Sequence, residues 1–138
     1  MSASISATGV VLAALSAFPI GSLWYSPSVF LKPWQKMTGN TDADMKKAFG
    51  PAMGYIAVAS LLTAYIMAHF IQYTEAYTGT MGIKAGLETA WWLWLGLGLT
   101  TTVVNAAFEK RDPMVMVIQA GNRLVTFLVM GLILGAFM

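Results

Sequence analysis

The chain has 138 residues, 57% hydrophobic and 10% charged, with a mean hydropathy of +0.66, a balance that belongs to membrane proteins and excludes an ordinary soluble domain. It contains no cysteine, which excludes disulfides, iron–sulfur clusters, blue-copper sites and thiolate zinc sites. The net charge of +2 and pI near 9.0 come from basic residues scattered over connecting segments, which suits loops beside a membrane and offers nucleic acid no patch.

A bilayer crossing needs about 20 predominantly apolar residues, and four windows meet that length, near 5–25, 51–74, 85–108 and 114–137. The predicted fold is an all-α membrane protein. It forms a single transmembrane domain over 1–138, with four transmembrane helices in an antiparallel bundle and a short interfacial, cytoplasmic helical segment between helices one and two. The first window competes with a cleavable signal peptide, but it lacks a basic leading region, so a retained helix is expected. Pro19 is expected to bend that helix and free a carbonyl.

The loop over 26–50 reads as organised. Ser26 and Pro27 resemble an N-cap followed by proline at the first helical position, with Val29, Phe30, Trp34 and Met37 on one apolar side and Pro33 interrupting the segment. Thr41 with Asp44 three residues later approximates a capping box, opening a short helix that Gly50 and Pro51 should stop. Trp24, Tyr25 and Trp34 are the expected anchors at this interface, and Tyr73, Tyr77, Trp91 and Trp92 those at the other.

Lys32, Lys36, Lys46 and Lys47 fall in the first loop, and Lys110 and Arg111 in the third; Lys84 alone marks the opposite side. The positive-inside rule then predicts a multi-pass protein of the bacterial inner membrane, with loops 26–50 and 109–113 cytoplasmic and both termini outside. Small residues recur every four positions at Gly9, Ala13, Ala17 and Gly21, at Ser60, Ala64 and Ala68, at Gly82, Gly86 and Ala90, and at Gly131 and Gly135. Such strips let helices approach closely, within one protomer or between copies.

The chemistry-bearing residues are few. Helix four carries Gln119, Asn122, Arg123 and Thr126 on one broad face, and helix three offers Thr101, Thr102 and Asn105. A charge at the centre of a membrane helix costs roughly 2.5 to 3.5 kcal/mol, so it ordinarily faces a bundle interior, a cavity or a ligand. At about 1.5 Å per residue, Arg123 is expected level with Thr101 and Thr102, and about 15 Å from the depth of Glu88. These seven residues are the expected ligand or pathway layer. His69 and Glu88 form a second candidate, a proton site near the outer ends of helices two and three. Against it stands an ion pair of Glu88 with Lys84 one turn earlier.

The 10 methionines suit apolar filling better than copper(I), since no cysteine and a single histidine accompany them. No Ser-His-Asp set, HExxH or Walker loop is present, so neither a catalytic residue nor a cofactor or metal is expected, and the reading leans away from an enzyme. The expected partners are the lipid bilayer and further copies of the chain, because four short helices leave little room for a cavity in one protomer. A larger membrane complex is the alternative.

The stretch GSLWYSPSVFLKPWQKMTG, YIMAHF of helix two, WLWLGLG of helix three, the turn FEKRDP and IQAGNRLVTFLVMG of helix four together resemble the bacterial domain-of-unknown-function family 1761. The resemblance runs over nearly the whole chain, and the LWYSP block with its following tryptophan and glycine is its most specific part. It implies a four-helix integral membrane protein of unassigned activity and supplies no catalytic residue. The functional expectation is a homo-oligomer that binds or passes a small solute or ion around Arg123, with an accessory or structural subunit as the alternative.

Overall fold

The computed structural model describes residues 5–109 and 112–138, so the basic pair Lys110 and Arg111 lies outside the described residues. The elements are α1 (Ala7–Trp24), α2 (Leu31–Thr38), α3 (Asp42–Thr78), α4 (Gly82–Leu93), a π-helical turn (Trp94–Leu99), α5 (Thr100–Glu109) and α6 (Pro113–Ala136). With α1, α3 and α6 each long and apolar enough to cross a membrane, the chain is an all-α membrane protein. The fourth helical run is interrupted: 12 residues of α4, 6 of the π turn and 10 of α5 follow one another.

Local chemistry sets most of the helix ends. The Ser6 hydroxyl accepts the Gly9 N–H at 3.0 Å, and the Asp112 carboxylate accepts the Met114 N–H at 2.9 Å with Pro113 in the first turn of α6, both ordinary N-caps. At Thr41 the capping box forms: the Asp44 N–H reaches Thr41 Oγ1 and the Thr41 N–H reaches Asp44 Oδ2, each at 3.1 Å. Gly39 and Gly79 both adopt φ 75° as C-caps, a left-handed backbone that side chains with a β-carbon resist.

Two expectations for the first loop are corrected. Ser26 and Pro27 do not open a helix; residues 25–30 form turns in which the Ser26 carbonyl accepts the N–H groups of Val29 and Leu31. The helix starts at Leu31, so Pro33 falls in its first turn, where a missing N–H costs nothing. Nor do Gly50 and Pro51 stop a helix, since α3 runs unbroken through both for 37 residues. Pro51 leaves the Lys47 carbonyl without its usual donor, but both residues are exposed, and water can take the donor's place.

The core is lopsided. Val10, Ala13 and Ala14 of α1, Ala64, Met67, Ala68 and Ile71 of α3, Ala85 and Ala90 of α4, and Met130 and Leu134 of α6 form one buried cluster. These positions belong to the end of the bundle that holds the start of α1 and the finish of α6. Backbones nearly touch there: a β-carbon on Gly86 would collide with the Gly131 carbonyl, and one on Gly135 would lie 2.8 Å from the Ile83 Cα. The strips on α4 and α6 therefore serve packing within the protomer. On α1, Gly9 meets Phe137 while Gly21 has open space beside it. Toward the other end α5 contains no buried residue, while Val115 and Ile118 of α6 stay buried.

Candidate functional site

Two aromatic side chains organise the middle of α6. The Trp24 indole donates to the Ile118 carbonyl at 2.8 Å and the Trp94 indole to the Ala120 carbonyl at 2.9 Å. Trp24 also lies against Gly121, where a β-carbon would come within 2.8 Å of its ring. An indole N–H in an apolar medium needs a partner, and a helical carbonyl has a second lone pair to give. Trp24 is thus not a free interface anchor: it closes over α6. Its ring lies 4.9 Å from that of Phe30, and Tyr25 packs edge-on against Trp34 at 5.5 Å, so the loop after α1 folds back toward α6. Trp91 and Trp92 stay exposed, with the Trp91 ring 5.5 Å from that of Trp94.

The π turn accounts for part of the polarity of the fourth run. Wider i→i+5 winding disturbs the carbonyl ladder, and such turns gather at functional sites. Thr100 donates its hydroxyl to the Gly96 carbonyl at 2.7 Å and Thr102 to the Gly98 carbonyl at 2.9 Å. The Thr102 proton is therefore spent within its own helix. Thr126 likewise donates to the Asn122 carbonyl at 2.8 Å.

Arg123 itself is exposed, as are Thr101 and Asn105, whereas Gln119 and Asn122 are half-buried and Thr126 is buried. With the indoles of Trp24 and Trp94 held on α6 at Ile118 to Gly121, the guanidinium lies on the outside of the protomer. Its depth also differs from the expectation. Gly86 faces Gly131 and Gly82 faces Gly135, and continuing that antiparallel pairing brings Arg123 opposite Trp94. Thr101 and Thr102 lie about two turns farther along. The expected layer is thus drawn out along the surface.

Two further groups mark this region. Asn122 Oδ1 and Trp34 Nε1 are buried without a hydrogen-bond partner, a condition that costs about 1–3 kcal/mol per group. The Tyr25 phenol, just beyond the end of α1, is pushed up from its ordinary value by burial, and the positive charge of Arg123 opposes that rise. Arg123 and Tyr25 are therefore electrostatic neighbours across the α1–α6 boundary, a pairing that sequence reasoning missed.

His69 and Glu88 are not brought together. The His69 ring stands edge-on to Tyr65 at 4.7 Å, while Glu88 lines a cleft between α3 and α4 with Phe70, Tyr73, Tyr77 and Trp92. Glu88 Oε2 is buried and unpartnered, so Lys84 does not bind that oxygen. Among the described residues no group of three His, Cys, Asp or Glu side chains forms a metal site.

No curated protein and no solved structure matches the chain. A family model described as a protein of unknown function, DUF1761, matches residues 8–135. That span overlaps all four apolar windows and takes in the aromatic loop and both indole clamps, and the chain belongs to the DUF1761 family.

Proposed function

We propose that the protein works as a homo-oligomer of four-crossing protomers that binds or passes a small anion along the surface around Arg123. In the proposed arrangement the run Gly82–Glu109 crosses too, as the third of four crossings in chain order, in a bacterial inner membrane with both termini outside. The observation that carries this reading is the exposure of Arg123, the one charged residue of α6. A guanidinium left toward lipid is costly, and a second copy laid over this face would enclose it. The absence of buried residues on α5 supports the same contact. Arg123, Asn122, Gln119 and Asn105 would then line the shared polar strip.

The test combines mass and flux. Native mass measurement after extraction in detergent is expected to give a multiple of the protomer alone, and liposomes carrying the protein should release chloride. Arg123→Gln should abolish release while the mass stays the same. A bare monomer, or release unchanged by Arg123→Gln, rejects the reading. The same uncovered α5 face also suits a foreign chain, which is the accessory-subunit alternative; a stable complex with other subunits would select it.

A further inference from the structure

The cleft between the end of α3 and the start of α4 has a volume of about 350 Å³. Phe70, Tyr73, Tyr77 and Trp92 line it and all four are exposed, with the Phe70 and Tyr73 rings edge-on at 5.7 Å. Glu88 lines the same cleft, and its Oε2 is buried without a hydrogen-bond partner. The neighbouring threonines and Glu75 have hydrogen bonds of their own. Thr74 donates to the Phe70 carbonyl at 3.0 Å and shares a 2.6 Å hydrogen bond with Thr89, while Glu75 Oε1 accepts the Gly82 N–H at 3.4 Å.

The combination selects an occupant by its chemistry. A carboxylate oxygen taken out of water needs a positive charge or a donor, and the faces of tyrosine and tryptophan attract cations. An anion is repelled, and a neutral apolar molecule leaves the oxygen unpaired. A calcium or magnesium ion wants six or more oxygen ligands, which a wall of rings does not supply. What fits is a diffuse positive charge inside an apolar shell. We propose that this cleft binds a monovalent organic cation with a bulky aryl or alkyl body. The site is separate from the Arg123 surface and does not depend on the function proposed for it.

The test uses the full chain in an uncharged maltoside micelle, titrated with tetraphenylphosphonium and followed by equilibrium dialysis. Saturable binding is expected, at least tenfold weaker in Glu88→Gln, severalfold weaker in Trp92→Ala, and recovered in Glu88→Asp. Glu75→Gln should change it by less than about threefold. Triphenylphosphine oxide, which keeps the aryl body without the charge, should not compete. Should Glu88→Gln fail to elute as the parent protein does, Trp92→Ala and the oxide competition decide. The proposal is overturned if binding is not saturable, if Glu88→Gln binds equally, or if the neutral oxide displaces the cation. It is overturned too if a short-chain phosphocholine lipid binds and tetraphenylphosphonium does not, which would make the cleft a headgroup site.

Discussion

Gly86 and Gly131 meet backbone to backbone, and a β-carbon on either residue would collide with the other's carbonyl. Helix propensity alone favours alanine over glycine by about 0.5–1 kcal/mol. At this crossing the overpacking penalty, about 1–3 kcal/mol, wins. Gly86→Ala and Gly131→Ala are therefore expected to lower the melting temperature in detergent. Gly54 lies in α3 with nothing within 4 Å of its would-be β-carbon, so Gly54→Ala should leave the melting temperature unchanged or raise it. Equal behaviour of all three variants in a circular-dichroism melt would contradict the crossing.

The indole clamps predict a second pair of outcomes. Trp24→Phe and Trp94→Phe keep an aromatic ring, though a smaller one, and remove the donor to Ile118 or Ala120. Polar contacts inside membrane bundles average about 0.6 kcal/mol and reach about 1.7, so each loss should be at least of that size, with the smaller ring adding a packing cost. Trp24→Ala should cost far more, because it also uncovers Gly121. Unfolding in mixed micelles, read as a shift in denaturant midpoint, measures both.

Arg123 and Tyr25 can be tested as an electrostatic couple. A nearby positive charge favours the phenolate, so removing it leaves burial unopposed. In Arg123→Gln the Tyr25 pKa is expected to rise further. Fluorotyrosine placed at position 25 and titrated by fluorine NMR reads this directly; an unchanged midpoint would show that the guanidinium points away from the phenol.

At the start of α3 the pH dependence has a definite sign. Hydrogen bonds from Thr41 lower the Asp44 pKa below the usual carboxylate range. A depressed folded-state value contributes stability above the unfolded value, about 3.9, and loses it as pH falls through the lower one. Amide exchange in the first turn of α3, corrected for intrinsic rates, should stay protected down to about pH 4 and then weaken. Asp44→Asn should flatten that profile, and Thr41→Ala should weaken protection at every pH by about 1 kcal/mol.

Much of this architecture is legible in the chain. Apolar windows announce the membrane helices, Thr41 and Asp44 announce a cap, and the glycine spacings announce close crossings. Pro51 misleads, because a local breaker stops a helix only where the freed carbonyl finds no other partner. Depth matching from the loop before α6 misleads as well: register is fixed by the Gly86–Gly131 contact at the far end of α6, so Arg123 falls opposite Trp94. Periodicity shows that Arg123, Asn122 and Gln119 share a face of α6 but not what that face meets. The inward side at this level is decided by two tryptophans distant in sequence. The π turn left one hint, the paired glycines of Trp94–Leu99, which read equally well as an ordinary packing strip.

One consequence follows from the length of α3. Its 37 residues extend about 55 Å at 1.5 Å each, while the hydrocarbon layer is about 30 Å thick. The helix is thus about 25 Å longer than that layer, with Lys46 and Lys47 near the end that starts at Asp42 and Ala64 to Ile71 in the buried core. A load applied near Lys46 and Lys47, by a partner protein or a charged surface, reaches the α3 residues of the buried core through one continuous helix, and the turn at Pro51, which lacks a backbone hydrogen bond, is where that helix bends most easily.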